Sequence, residues 1–303
     1  MVSVVMSVYN EELNMIVNAI DSMLNQTYQG EMEIIIVADN PDNKVMIDLL
    51  KEYENKYDSI ILLINNVNKG LAYSLNRAIK YASGKYICRM DADDISFPER
   101  IETEFKYLEE NKLDFVSSTA IPINDDGELI GDRISVPLTQ KKISRIIKYT
   151  GCLIHPTWFF TKKSWTEIGG YREAMVASQD YDYSIRMVKS GYRLATIEDP
   201  LLYYRIRSNA ISVSKRSLQT FLGLYAQGNV YRNSPFVSNI NILIQEGKCV
   251  EYNNFSNVFN RFNENTHISG KMISLVKGMF KSRYFSRFVC NTIILRTMKV
   301  FSK

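Results

Sequence analysis

The sequence predicts an α/β fold in which a mainly parallel central sheet is flanked by helices. Short apolar, β-branched runs alternate with helical patterns over residues 1–120, as is typical of parallel strands joined by helices. The run Ile34–Val37 is apolar at every position, which indicates a strand buried on both faces. The predicted strands are Val2–Val8, Glu33–Val37, Ile60–Ile64, Tyr86–Met90 and Asp114–Ser118. The predicted helices cover about residues 11–26, 42–57, 71–82 and 98–111.

After residue 120 the pattern becomes less regular, and turn and capping residues mark the boundaries of the elements. In chain order we expect a hairpin around Asn124–Gly127, a strand over Cys152–Thr161, a helix from Ser178 to Lys189, and strands near Arg193–Ile197 and Leu201–Ile206. The chain after residue 213 is predicted to be mainly helical.

The composition is that of a globular protein. Of 303 residues, 46% are hydrophobic and 23% charged, which allows one large α/β domain with an appendage, or two domains. The four cysteines form no CxxC pair and indicate reduced thiols in a cytosolic chain. Only two histidines are present, so zinc catalysis and Ser-His-Asp chemistry have little support. We expect one of them, His155, to be an interior residue.

The charge is unevenly distributed along the chain. The net charge is +4, yet residues 265–303 contain eight Lys or Arg and no Asp or Glu. A basic tail of this kind indicates contact with an anionic surface, either a membrane or nucleic acid. No run approaches the roughly 18 apolar residues that a membrane span requires, and Val2–Val8 is too short for a signal peptide.

Polar residues follow three of the predicted strands. They are Tyr9-Asn10-Glu11 after the first, Asp39-Asn40 after the second and Asp91-Ala92-Asp93 after the fourth. Ligands of open α/β sheets bind at the carboxyl ends of the strands, so we expect these groups to converge on one crevice. Neither GxGxxG nor GxxxxGK[ST] is present, which argues against dinucleotide and P-loop sites.

Asp91 and Asp93 are candidate metal ligands. Carboxylate oxygens suit Mg²⁺ or Mn²⁺, ions that keep coordination positions for substrate phosphates. The alternative is an acidic turn or helix cap before Pro98. Asp39 could accept the imide hydrogen of a uracil or thymine ring, or could simply form a turn before Pro41.

Several blocks of residues, in order and at characteristic intervals, resemble those of glycosyltransferase family 2, inverting enzymes of the GT-A fold. The blocks are Ser-Val-Tyr-Asn-Glu-Glu (7–12), Ile-Val-Ala-Asp-Asn-Pro-Asp (36–42), Asn-Lys-Gly-Leu-Ala-Tyr-Ser-Leu-Asn (68–76), Arg-Met-Asp-Ala-Asp-Asp (89–94), Gln-Asp-Tyr-Asp (179–182) and Tyr-Arg-Ile-Arg-Ser-Asn-Ala-Ile-Ser (204–212). The resemblance covers about residues 1–212, an expected GT-A catalytic domain with a nucleotide-sugar-binding half (1–120) and an acceptor half (121–212). Residues 213–303 are expected to form a helical, basic extension.

The resemblance implies roles for individual residues. Asp91 and Asp93 would form the DXD motif, with Asp93 the direct ligand of Mn²⁺ or Mg²⁺. Asp180 matches the catalytic base of the family. The remaining matched positions would bind the donor and are Tyr9, Asn10, Glu11, Asp39, Gly70 and Arg89, with Arg89 near the diphosphate.

Three positions depart from the family pattern. Ala38 stands where an Asp is usual, Gln179 replaces a Glu, and Arg207 stands where many relatives carry a His that could bind the metal. A guanidinium cannot coordinate a cation, so we hypothesise that Arg207 binds the donor phosphate and partly replaces the metal charge. If so, metal chelation should leave activity intact while Arg207→Ala abolishes it; the reverse result would contradict the hypothesis.

The expected function is metal-dependent, inverting sugar transfer from a nucleotide-sugar, most simply a UDP-sugar, to a glycan or lipid-linked glycan in surface polysaccharide synthesis. One alternative is a catalytically weak sugar-nucleotide-binding subunit, which the three departures would favour. Another is a nucleotidyltransferase. That function would need a glycine-rich phosphate loop after the first strand, and this sequence has none there.

The tail predicts a basic amphipathic helix over residues 268–301. Its apolar positions are Met272, Val276, Met279, Phe280, Tyr284 and Phe288, and its cations include Lys277, Lys281, Arg283 and Arg287. Such a helix can lie in a membrane interface, which would place the protein peripherally at the cytosolic face of the cell membrane, or it can pack on the catalytic domain. Nucleic acid is not expected as a partner, and the sequence does not define the oligomeric state.

Overall fold

The computed structural model describes residues 1–207, 216–264 and 268–300. These residues form two compact units. Unit 1 comprises Met1–Ser144, Cys152–Glu173 and Met187–Arg207. Unit 2 comprises Arg145–Gly151, Ala174–Arg186 and the described part of Ser208–Lys303.

Unit 1 contains an eight-stranded sheet. Its strands are β1 (Val2–Val8), β2 (Met32–Ala38), β3 (Ile60–Ile64), β4 (Tyr86–Asp91), β5 (Ile95–Ser96), β6 (Phe115–Ile123), β7 (Phe159–Thr161) and β8 (Leu194–Arg205). Their spatial order is β3-β2-β1-β4-β7-β6-β8-β5. Neighbours among β1–β4 are parallel, as are β6 and β8, whereas β7 is antiparallel to both of its neighbours and β5 to β8. The mainly parallel sheet predicted from the sequence is confirmed.

Helices join the strands. They are α1 (Leu13–Leu24), α2 (Lys44–Lys56), α3 (Leu71–Tyr81), α4 (Arg100–Glu110), α5 (Gln140–Ile146), α6 (Lys162–Ile168) and α7 (Gln179–Lys189). The predicted strands and helices of residues 1–120 match these bounds within a few residues. Ile34–Val37 is buried at all four positions, because β2 is an interior strand whose two faces are both covered.

Two predictions in residues 150–206 are wrong in detail. The expected strand over Cys152–Thr161 is a short 3₁₀ helix at His155–Thr157 followed by β7, because Pro156 has no N–H to donate to a strand neighbour. The two strands expected near 193–206 are one strand, β8, which stays paired with β6 through register shifts. The Asn124–Gly127 turn is present, but the second arm of its hairpin is a single bridge between Ile123 and Leu129.

Beyond residue 213, unit 2 is helical, as predicted. Its helices are α8 (Arg216–Arg232), α9 (Ile240–Gln245), α10 (Val250–Glu264), α11 (Ile268–Lys281) and α12 (Arg283–Val300). Within the described ranges, the chain has no helix long and apolar enough for a bilayer crossing.

The prediction of a single amphipathic helix over residues 268–301 is wrong, because the helix is interrupted at Ser282 and forms two helices, α11 and α12. The Ser282 hydroxyl accepts a hydrogen bond from the Phe285 N–H at 3.2 Å, which caps the second helix. As a result the apolar stripe is divided: Phe280 of α11 is exposed, whereas Tyr284 of α12 is buried.

Candidate functional site

The carboxyl ends of β1, β2 and β4 lie side by side at one edge of the unit 1 sheet. Ser7 of β1 is in register with Val37 of β2 and with Asp91 of β4, so the segments that follow these strands are neighbours. Beyond the strands, Nδ2 of Asn40 donates a hydrogen bond to Oδ1 of Asn10 at 2.6 Å. The polar groups that follow the three strands therefore converge, as the sequence predicted.

Three carboxylates form a cluster where β4 ends. One oxygen from each of Asp91, Asp93 and Asp94 lies within 4.8 Å of the others. Asp94 is a member that sequence analysis did not single out, although its place directly after Asp93 was a usable signal. It is almost fully buried, and its Oδ1 accepts a hydrogen bond from the backbone N–H of Arg205 at 2.7 Å. Its Oδ2 is buried with no hydrogen-bond partner among the described residues.

Burial, and secondarily the nearby acidic groups, disfavour the ionised forms of Asp93 and Asp94. Burial, with Asp91 and Glu11 nearby, raises the pKa of Asp93 to about 7, against the opposing effect of Arg207 and Arg89. Burial and the charges of Asp91 and Asp93 also raise the pKa of Asp94 well above its ordinary value. Negative charge at this strand end is therefore disfavoured unless a cation offsets it.

The cluster fits a divalent cation. Three oxygen donors within reach of one another are the ligand set that Mg²⁺ and Mn²⁺ prefer. A cation would offset the repulsion between the carboxylates. It would also give a partner to Oδ2 of Asp94, which is buried without a hydrogen bond among the described residues. Chemically, a metal held here would leave coordination positions for a phosphate anion.

Arg89 lies beneath the cluster rather than on its surface. Its side chain is 1% exposed, and its Nη2 donates to Oδ1 of Asp91 in an ion pair. Within the described part of the chain, its Nε and Nη1 are buried without hydrogen-bond partners. Because Arg89 occupies one oxygen of Asp91, it fixes the orientation of that carboxylate. The predicted proximity of Arg89 to a diphosphate would therefore operate through Asp91.

Glu11 and Tyr9 lie where β1 ends. The backbone N–H of Tyr9 donates to Oε2 of Glu11 at 2.7 Å, and the Tyr9 side chain is exposed. Burial raises the pKa of Glu11, and the charge of Asp91 raises it further, whereas Arg207 lowers it. Glu11 is thus close enough to the carboxylate cluster to be coupled to it electrostatically.

Asp39 is buried where β2 ends and organises the loop before α3. Its Oδ1 accepts hydrogen bonds from Nδ2 of Asn65 at 2.6 Å and from the N–H of Lys69 at 2.8 Å. Its Oδ2 accepts one from the N–H of Gly70 at 2.8 Å, which leaves further acceptor capacity on that oxygen. Asp39 therefore does not form the turn before Pro41, the alternative role considered from the sequence.

The loop that Asp39 holds depends on two further features. Gly70 has φ of +85° and ψ of 162°, a conformation that is essentially restricted to glycine. Asn65 is buried and donates to Oγ of Ser74, while its own Oδ1 accepts from Nη1 of Arg77 at 2.6 Å. Sequence analysis missed Asn65, Ser74 and Arg77, because a polar residue after a short strand gives no local sign of burial.

Arg205 and Arg207 both reach Asp93. Nε of Arg205 donates to the backbone carbonyl of Asp93 at 2.7 Å, and its Nη1 donates to the carbonyls of Asn124 and Asp125. Nη1 of Arg207 lies 3.8 Å from Oδ2 of Asp93. Arg205 is buried and structural, whereas the partly exposed Arg207 adds positive charge beside the cluster.

Asp180 belongs to unit 2, in the first turn of α7. The helix expected from Ser178 to Lys189 is present from Gln179, so Asp180 lies at a helix N-terminus. Its neighbour Asp182 is fully buried and accepts a hydrogen bond from Nε of Arg186 at 2.9 Å. Asp182 thus serves local structure.

His155 and the two tryptophans, Trp158 and Trp165, are core residues. His155 is buried, and its Nε2 is hydrogen-bonded to the hydroxyl of Tyr171 at 2.9 Å. Trp158 packs edge-on against both His155 and Phe115. Trp165 is also buried. This placement of His155 confirms the interior role expected from the sequence.

Comparison with known proteins identifies similar sequences. The profile of Glycosyl transferase family 2 matches residues 3–169. An uncharacterised glycosyltransferase of Methanocaldococcus jannaschii is 34% identical over 79% of this chain and 82% of its own length. The O-antigen biosynthesis glycosyltransferase WbnJ of Escherichia coli is 32% identical over 71% of this chain and 83% of its own length.

Solved structures share the fold at low sequence identity. Residues 1–349 of Staphylococcus aureus TarS, in complex with UDP-GlcNAc, superpose with a TM-score of 0.63 and 17% identity, over 96% of this chain and 88% of that one. The chain spans 49% of a longer TarS structure. The mannosyltransferase PcManGT from Pyrobaculum calidifontis, in complex with GDP-Man and Mn²⁺, gives a TM-score of 0.61 and 15% identity, over 99% of this chain and 80% of that one.

Proposed function

The chain belongs to glycosyl transferase family 2, and we propose that it transfers a sugar from a nucleotide-sugar donor to a glycan or lipid-linked glycan acceptor with inversion at the anomeric carbon. Its fold is the GT-A fold. The observation that carries the proposal is the carboxylate cluster of Asp91, Asp93 and Asp94 beside Arg207, at the sheet edge where Asp39 and Tyr9 also lie.

The donor would bind across this edge. Asp39 has a free acceptor site on Oδ2 for a base imide hydrogen, and Tyr9 offers an exposed ring for stacking on that base. Asn10, Glu11 and Gly70 would complete the wall of the nucleoside site. We propose a UDP-sugar as the donor. UDP-GlcNAc is bound in the TarS structure and GDP-Man in PcManGT, so a donor screen should include sugars of both nucleotides.

Asp93 and Asp91 would hold Mn²⁺ or Mg²⁺, with Asp94 as a further oxygen donor. The bound cation would act as a Lewis acid that stabilises negative charge on the departing diphosphate. Arg207 would contribute a second positive charge to the same phosphate, in a charge-assisted hydrogen bond. Arg89 keeps Asp91 oriented from below.

Asp180 is proposed as the general base. In an inverting displacement the acceptor hydroxyl attacks the anomeric carbon from the side opposite the leaving group, and a carboxylate takes its proton. Such assistance typically contributes a factor of about 10²–10⁴. We assign this catalytic machinery to residues 1–212, with the donor half in 1–120 and the acceptor half in 121–212, and residues 213–303 to a separate helical extension.

The biological role follows from the relatives. WbnJ is an O-antigen biosynthesis enzyme, and we propose that this chain also builds a surface polysaccharide. We propose that its acceptor is lipid-linked and that the enzyme works peripherally at the cytosolic face of the cell membrane. The basic segment after residue 264, which contains no Asp or Glu, supports that location.

A screen of UDP- and GDP-sugars for nucleoside diphosphate release, with Mn²⁺ or Mg²⁺ and with chelator, tests the proposal. Release that depends on the cation and is lost in Asp93→Asn would support the metal role and contradict the hypothesis that Arg207 replaces the metal charge; Asp126→Asn provides a matched control on an exposed carboxylate. Tight donor binding with no turnover for any sugar and acceptor would instead identify a sugar-nucleotide-binding subunit. Absence of donor binding would contradict both functions.

A further inference from the structure

Helix α11 carries an exposed group of apolar side chains. Val276 is 50% exposed, Met279 38% and Phe280 90%. Residues three and four positions apart are neighbours on a helix surface, so these three side chains form one continuous patch. We call Val276, Met279 and Phe280 the α11 patch.

The opposite side of α11 is packed tightly within unit 2. Gly278 is buried, and a Cβ on it would lie 2.3 Å from Cγ1 of Val258 in α10 and 2.7 Å from the ring of Phe285 in α12. Only glycine allows these helices to approach so closely. The contact fixes the rotation of α11 about its axis, and the α11 patch is consequently held on the outward side.

Cations border the α11 patch. Lys277 and Lys281 are exposed, and each directly follows a patch residue along the helix. The sequence from residue 265 onward has no Asp or Glu. The neighbouring Arg283 pairs with Glu251 of α10 at 3.1 Å, so the charge of that carboxylate is partly offset.

We propose that the α11 patch docks on an anionic lipid bilayer, with Phe280 inserted at the headgroup boundary and Lys277 and Lys281 against lipid phosphates. An apolar surface bordered by cations matches the order of groups in an anionic membrane interface. A second copy of the chain fits less well. Stable protein interfaces use about 20–30 residues a side, and a two-fold contact centred here would bring lysines against lysines.

This inference deepens the proposed function, since it specifies the surface through which a transferase acting on lipid-linked acceptors would reach them. Two predicted apolar positions of the tail do not belong to it: Tyr284 is buried in α12, and Phe288 is only partly exposed there. The membrane contact is therefore assigned to α11 and not to the whole tail.

Vesicle co-sedimentation of the full chain, without donor or acceptor, tests the proposal. We expect binding to phosphatidylcholine vesicles that contain phosphatidylglycerol and weak binding to pure phosphatidylcholine. Phe280→Ser and the double variant Lys277→Glu/Lys281→Glu should each lower the partition coefficient by about tenfold or more. Because both alter exposed side chains, they should leave the thermal unfolding midpoint unchanged.

Matched controls are Tyr81→Ser, which removes an exposed aromatic residue from α3, and Lys51→Glu/Lys56→Glu, which reverses two exposed charges on α2. Both should bind vesicles as the unaltered chain does. Equal loss in test and control variants, or no binding by the unaltered chain, would overturn the inference. So would a concentration-dependent dimer that Phe280→Ser disrupts. Nucleoside diphosphate release measured in solution is separate, so failure here leaves the proposal of sugar transfer intact.

Discussion

Nη1 of Arg207 lies 3.8 Å from Oδ2 of Asp93, and Nε of the same guanidinium lies 3.9 Å from Oδ1 of Asp125. The always-charged arginine therefore stands beside the carboxylate proposed as the direct metal ligand. It lowers the pKa of that carboxylate, although burial and the neighbouring acids leave the net shift upward. Arg207 should thus weaken cation binding to the empty cluster and strengthen binding of a phosphate.

Arg207→Ala separates these two effects. We expect the affinity for the nucleotide-sugar to fall by about tenfold or more, because a charge-assisted hydrogen bond is lost. The affinity for Mn²⁺ alone should rise several-fold, because a positive charge near the cluster is removed. Isothermal titration calorimetry measures both, with Arg133→Ala, which breaks an exposed ion pair with Glu198, as the control. Unchanged donor affinity would contradict a phosphate contact.

Arg89→Met removes the buried cation beneath Asp91 while keeping a similar side-chain volume. The repulsion between Asp91, Asp93 and Asp94 should then rise, and the variant without metal should unfold at a lower temperature. Since a ligand of the folded state stabilises it by mass action, saturating Mn²⁺ should raise the unfolding midpoint more in the variant than in the unaltered protein. Differential scanning fluorimetry with and without Mn²⁺ gives this comparison. Equal shifts would show that Arg89 does not act on the cluster.

Asp180→Asn should lower the turnover rate, whereas Asp182→Asn should lower the free energy of unfolding. Asp180→Asn is expected to lower the turnover rate by roughly 10²–10⁴-fold with donor affinity retained, because it removes the proposed base. Asp182→Asn removes a buried carboxylate charge that lies 2.9 Å from Nε of Arg186, and it should lower the free energy of unfolding by about 3 kcal/mol or more. Steady-state kinetics and urea unfolding of both variants test this. Full activity of Asp180→Asn would exclude it as the base.

Asp39→Asn should disturb the loop before α3. An amide group has one acceptor oxygen, so it cannot accept from the Asn65 side chain and from the N–H groups of both Lys69 and Gly70. We expect a loss of about 2–4 kcal/mol in the free energy of unfolding, together with weaker donor binding. Asp42→Asn, at an exposed position in the segment between β2 and α2 that also contains Asp39, is the control. Equal stability of the two variants would contradict this role of Asp39.

His155 should make stability depend on pH. Burial, and secondarily the charge of Arg89, holds the pKa of His155 well below its ordinary value. Between the folded and unfolded pKa values the unfolded chain therefore binds more protons, and stability falls as the pH drops below about 6.5, by at most about 1.4 kcal/mol per pH unit. In His155→Gln this contribution is absent, so the stability difference between the two proteins should change with pH only below that value. Urea unfolding of both proteins over roughly pH 5 to pH 8, the range in which histidine changes its charge, measures this stability difference. A constant difference would contradict the assignment.

Local patterns were sufficient where one residue type determines one structure. The apolar run of β2 predicted its burial, and the acidic residues after β4 predicted a carboxylate cluster. Pro156 shows the limit of such reasoning, since an apolar run suggested a strand and the missing N–H of the proline prevented one. Ser282 shows another: helical spacing continued across it, yet its hydroxyl caps a new helix.

The sequence by itself determined the alternation of strands and helices, the family, and the chemistry available at three strand ends, because these depend on periodicity and residue type along the chain. Only the tertiary structure decided that Asp94 joins the cluster, that Asp39 is engaged by the loop before α3, that Arg89 is buried beneath Asp91, and that Phe280 faces outward. Each of these depends on contacts between residues that are distant in the chain or on packing of one helix face, and neither is encoded in local spacing.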